Sequence, residues 1–151
     1  MLNNAQRTSI SIVMRMLEEK MRAVEARLAC PEEQALTFEV RNDLTPVTVQ
    51  VLREKIDDVY ALIRALRDRL ALPLDVKPAT RDALTGLMPL WAVLQESTSE
   101  RLQRYGEVDP SLAHVLDPTI DALARLMIEM DAAARGGAPL MSESGAKKRP
   151  A

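Results

Sequence analysis

Apolar residues recur at Val49, Leu52, Ile56, Val59, Ile63, Leu66 and Leu70, alternating steps of three and four over three heptads. At about 3.6 residues per turn this spacing lays one narrow seam along a helix, and such a seam needs cover from other helices. A matching stripe at Ile10, Met14, Leu17, Met21, Val24 and Leu28 predicts a first helix over about residues 3–30. Asn3 can cap it, with Gln6 three positions on in the place of a capping box. Pro31 disfavours a helical residue before it and sets the end.

Between the two stripes, Leu36-Thr37-Phe38-Glu39-Val40-Arg41 and Val47-Thr48-Val49-Gln50-Val51 alternate apolar and polar around Asn42-Asp43-Leu44-Thr45-Pro46. That is the pattern of a β-hairpin. Thr45 followed by Pro46 is also an N-cap with proline at the first helical position. An isolated two-stranded hairpin is marginally stable, so the preferred reading is a helix from about 46 to 72, stopped before Pro73 and about 40 Å long. A short β-hairpin or irregular connection near 36–51 stays open.

Thr80-Arg81-Asp82 opens a third helix expected to run to about Tyr105, with its seam at Leu84, Leu87, Trp91, Leu94, Thr98 and Leu102. Pro89 should bend it and Gly106 stop it. Asp109-Pro110 and Asp117-Pro118 each pair an acidic cap with proline at a first helical position. They predict either a short turn before a main helix or one helix kinked at Pro118. Its stripe reads Ile120, Leu123, Met127, Met130 and Ala134, and Gly136-Gly137 closes it. Residues 136–151 lack periodicity and read as a flexible tail.

These segments predict an all-α protein, a single antiparallel four-helix bundle over residues 1–135. The alternative is a helical hairpin pair that completes its core by dimerising. Tyr60 and Leu62 favour keeping it, because they widen the apolar face of the second helix beyond a seam with one partner.

Composition narrows the function more than the fold. With 151 residues, 47% apolar and 28% charged, the chain is long enough to bury a core without metals or disulfides. Aromatics are only 3%, and eight methionines fill gaps in their place. A net charge of -2 gives no general attraction to nucleic acid or anionic membrane, and neither is expected as a partner. The start has no signal-peptide pattern, and the longest charge-free run, residues 83–95, is shorter than the span of about 20 residues a bilayer needs. With Cys30 the lone cysteine, a cytoplasmic location is the expectation.

Candidate chemistry is sparse. His114 and Cys30 are single residues on different predicted helices, with no motif joining them. A di-iron bundle would need Glu-x-x-His from two helices. Glu18, Glu25, Glu54, Glu96 and Glu129 instead fall beside or opposite the seams. No catalytic residue, metal site or cofactor is therefore assigned. The densest basic group is Arg53, Lys55, Arg64, Arg67 and Arg69. Long cations can cover core edges, and arginine forks also suit carboxylates and phosphates, which makes Arg53, Arg67 and Arg69 the candidate anion site.

Leu52-Arg53-Glu54-Lys55-Ile56-Asp57 resembles the opening of the long helix in all-helical chorismate mutases, which hold a dicarboxylate with arginines from such a helix. The resemblance spans six residues and implies a role for Arg53, with Arg67 or Arg69 and Lys77 near the later cationic positions. This chain departs from the family by placing that helix second, and no membership is drawn from it.

Leu87-Met88-Pro89-Leu90-Trp91-Ala92-Val93-Leu94 is the most apolar piece and contains the only tryptophan. It reads as core, or as the lining of a groove for a ligand or partner. Lys147-Lys148-Arg149 reads as a solubilising end. The leading expectation is a non-enzymatic protein acting by protein-protein contact, as an adaptor, a chaperone-like or a self-associating module, with a homodimer as the first partner. Its candidate surface is Tyr60, Leu62, Met88 and Trp91. The alternatives are a small helical enzyme using the arginines and a ligand-binding bundle with a pocket near Trp91.

Overall fold

The computed structural model describes residues 1–136 and is mostly helical. The predicted tail, with Lys147-Lys148-Arg149, lies outside the described residues apart from Gly136. The chain forms two compact units, Met1–Val76 and the part from Lys77 onward. No helix among the described residues is long and apolar enough to cross a membrane.

The first unit is a helical hairpin. Helix α1 (Asn4–Ala29) starts on the expected capping box, with Asn3 accepting from the Gln6 N–H and the Gln6 side chain accepting from the Asn3 N–H, each at 2.9 Å. These two bonds satisfy two of the donors that a helix start leaves free. Helix α2 (Pro46–Leu70) starts as the Thr45-Pro46 pair predicts, with the Thr45 hydroxyl accepting from the Thr48 N–H.

Both readings of the intervening segment contain part of the answer. Strands β1 (Glu33–Gln34) and β2 (Glu39–Val40) pair antiparallel, Glu33 opposite Val40 and Gln34 opposite Glu39. The β-hairpin thus starts before residue 36 and has its second strand within the first alternating run, and the run 47–51 is helical. Leu36 and Phe38 are exposed at this tip. At the other end α2 stops at Leu70, two residues before the expected end. Leu72 precedes Pro73 and is driven out of the helical region, so Ala71 takes the left-handed turn at φ 49°.

The facing seams are legible in the burial. On α2 the seven seam residues are the partly or fully covered apolar positions, apart from Tyr60 beside them, and Ile56 is the one that is buried. On α1, Ile10, Met14, Met21 and Val24 are half-buried and Leu28 is buried, whereas Leu17 is 38% exposed. Leu17 is left open while its neighbour Glu18 is half-buried. Tyr60 donates to Glu25 (2.8 Å), and the Ser11 hydroxyl donates to the Pro73 carbonyl (2.8 Å). Those bonds tie α1 to α2 and to the segment that follows it.

In the second unit the expected single third helix is interrupted. It is divided into α3 (Ala79–Ala83), α4 (Leu87–Gln95), α5 (Ser99–Leu102) and a 3-10 turn (Gln103–Tyr105). Gly86 at φ 89° makes the first break, a conformation that favours glycine. Pro89 falls in the first turn of α4, where a backbone donor has no helical partner to lose. It therefore neither bends nor ends a longer helix. Extended Thr98 makes the second break. The seam residues Leu84, Leu87, Trp91, Leu94, Thr98 and Leu102 are nevertheless all half-buried.

Helix α6 (Pro110–Ala134) is one helix running through Pro118, capped by Asp109 onto the Ser111 N–H at 2.8 Å. It packs against α4 and α5. Its buried residues are Ile120 and Ala124, with Ala113, Leu116, Met127 and Ala134 half-covered. Leu123 and Met130, expected in the stripe, are 39% and 46% exposed. They instead join Leu112, Val115 and Leu126 on a second, uncovered stripe.

Asp117 fastens α5 to α6. It accepts from the Ser99 N–H (2.8 Å) and the Ser99 hydroxyl (2.6 Å). The Ser99 hydroxyl, then its N–H, hold the carboxyl below its ordinary range. A carboxyl lowered in the fold stabilises it above the unfolded value of about 3.9, and that contribution fades as pH falls through the lower folded value. Asp117→Asn should therefore lower the melting temperature of this unit by a few degrees near neutrality. The gap should narrow as pH falls below about 3.9 and close once pH is below the lowered folded value. A difference independent of pH, in melts followed by the fluorescence of Trp91, would remove the charge from this account.

Candidate functional site

The two long sides of the α1–α2 hairpin differ in chemistry. On one, Glu18, Arg22 and Glu25 of α1 and Tyr60, Arg64 and Arg67 of α2 line a shallow depression, with Ile63 and Leu74 also in its wall. Desolvation first, then the hydrogen bond to Glu25, raise the Tyr60 phenol above its ordinary value. Glu18 pairs with Arg22 at 3.3 Å, and Arg67 with Asp68 at 2.9 Å. The segment after α2 folds back over this side, where Ser11 meets Pro73 and Arg15 pairs with Asp75.

The opposite side is uncovered and mixes exposed apolar residues with exposed charges, Lys20 and Arg27 of α1 and Lys55, Asp58 and Arg69 of α2. From α1 it presents Val13 (54% exposed), Met16 (59%) and Leu17, and from α2 Val51 (46%) and Leu62 (71%). Half-buried Val24, Val59 and Leu66 form its floor. At about 100° per residue, Val51, Lys55, Asp58 and Leu62 form a stripe roughly 100° round α2 from the seam that meets α1.

The structure distributes the sequence candidates unevenly. Leu62 lies on the open side and Tyr60 on the polar side, so the two do not form one edge. Met88 (40% exposed) and half-buried Trp91 belong to the second unit. A depression in that unit is lined by Arg81, Leu84, Asp131 and Arg135, and Trp91 is not part of its wall.

Arg53 and Arg67 share the polar side but stand about 21 Å apart along the axis at 1.5 Å per residue. Arg69 points away from Arg67, roughly 200° round the helix. The three do not converge on one small anion. Exposed Cys30 belongs to the first unit and exposed His114 to the second. Among the described residues no group of three or more histidine, cysteine or acidic side chains could hold a metal ion.

What sequence reading overlooks is the second stripe on α2. Lys55 and Asp58 interrupt it, so hydrophobicity alone does not reveal it; the signal available is the heptad spacing of all four residues. Comparison with known protein families, with curated proteins and with solved structures finds no match.

Proposed function

We propose that the protein is a non-enzymatic interaction module whose partner is a second copy of itself. Two α1–α2 hairpins meet by their open faces and complete a four-helix bundle between chains. The observation that carries this reading is the asymmetry of the hairpin: one side is partly covered by residues 72–75, while the other is uncovered and exposes Val13, Met16, Val51 and Leu62. A pair of helices 26 and 25 residues long offers a face of roughly 700 Å², so two copies would bury about 1,400 Å², within the range of specific complexes. Within the hairpin only Leu28 and Ile56 are buried, a small core for two helices of that length, and pairing would convert half-covered seam residues into covered ones. The lone cysteine needs no oxidising compartment, in keeping with a cytoplasmic module.

Sedimentation equilibrium of the full chain from about 1 to 200 μM tests the reading. The expected result is a concentration-dependent shift from 16.8 kDa toward twice that mass. A species of unit mass throughout would remove it.

A further inference from the structure

The open face of α2 carries a charge pattern that specifies direction. Along its stripe from Val51 to Leu62 the order is Val51, Lys55, Asp58, Leu62: apolar, positive, negative, apolar, with Arg69 one heptad further on. All four side chains are exposed. Read backwards, the stripe is apolar, negative, positive, apolar. It is therefore complementary to its own reverse and not to itself.

We infer that the self-association proposed above, on which this inference rests, is antiparallel, with the two-fold axis passing α2 between Ile56 and Asp57. That axis sets Val51 opposite Leu62 of the second copy and Lys55 opposite Asp58, and symmetry makes each pairing twice. A parallel pairing would set Lys55 against Lys55 and Asp58 against Asp58, and like charges in contact oppose association. Charges at the edge of an apolar seam choose partner and orientation in this way in paired helices.

The test is a charge exchange by mixing full-length chains. In Lys55→Asp both charged positions of the stripe are acidic, and in Asp58→Lys both are basic. Each variant alone should associate at least about tenfold more weakly than the parent chain. An equimolar mixture should form heterodimers at near-parental affinity, seen as the mixed mass by native mass spectrometry. Mixing cannot repair a defect inside one chain, and circular dichroism of each variant checks that its helices are intact. If both variants dimerise like the parent, or the mixture forms no heterodimer, the antiparallel register is overturned while a dimer of the parent chain still supports the open face. A parent chain that is monomeric at 200 μM removes both.

Discussion

Ile56→Ala is expected to cost the hairpin about 3 kcal/mol, the largest single loss available in the first unit. Removing a buried isoleucine down to Cβ costs about 2–5 kcal/mol, the spread reflecting how far the surroundings collapse. Ile56 is 3% exposed, the lowest value among the buried apolar residues, and lies in the middle of the α2 seam. A unit of some 76 residues has a total stability of roughly 4–11 kcal/mol at typical per-residue values. The variant should therefore lose a large part of its cooperative melt, with Leu28→Ala close behind. Urea denaturation followed by circular dichroism, at fixed protein concentration because association adds to apparent stability, measures it. A loss below about 1 kcal/mol would show that the seam is not anchored at its middle.

That anchor was legible in advance, and the reason is physical. A three-four alternation has only one helical solution, and α2 shows half-burial or burial at each of its seven seam positions. Caps are equally local: Asn3 with Gln6, Thr45 with Pro46 and Asp109 with Pro110 act within one turn of chain, so residue type alone predicts them. What failed was continuity. The run from 80 to 105 keeps its apolar spacing across Gly86 and Thr98, and periodicity cannot distinguish one helix from several short ones whose covered sides agree. On α6 the apolar residues are numerous enough for two stripes. Only the positions of α4 and α5 decide that Ala124 is buried while Leu123 and Met130 are not.

The candidate surface was less legible than the fold. Tyr60 and Leu62 widen the apolar arc of α2 in opposite directions, and only the placement of α1 shows that Tyr60 turns to Glu25 while Leu62 faces solvent. Arg53, Arg67 and Arg69 look dense in sequence but are spread along and around a helix. Charge density in one dimension does not imply convergence in three.

Leu62→Glu is expected to abolish association while leaving the hairpin folded. In the isolated chain Leu62 is 71% exposed, so a charged side chain there loses almost no packing, and glutamate is a good helix former. At the interface the same carboxylate would sit opposite Val51 of a second copy, twice per dimer. An unpaired charge taken out of water costs several kcal/mol, enough to move the dissociation constant by a hundredfold or more. Arg64→Glu, on the polar side of the same helix, introduces the same side chain and a larger charge change, yet should leave association within about threefold of the parent. The contrast assigns the effect to a face and not to helix propensity or net charge. Equal loss in both variants, or association that survives Leu62→Glu, would place the contact elsewhere on the chain; the uncovered α6 stripe around Leu126 would then be the next surface to substitute.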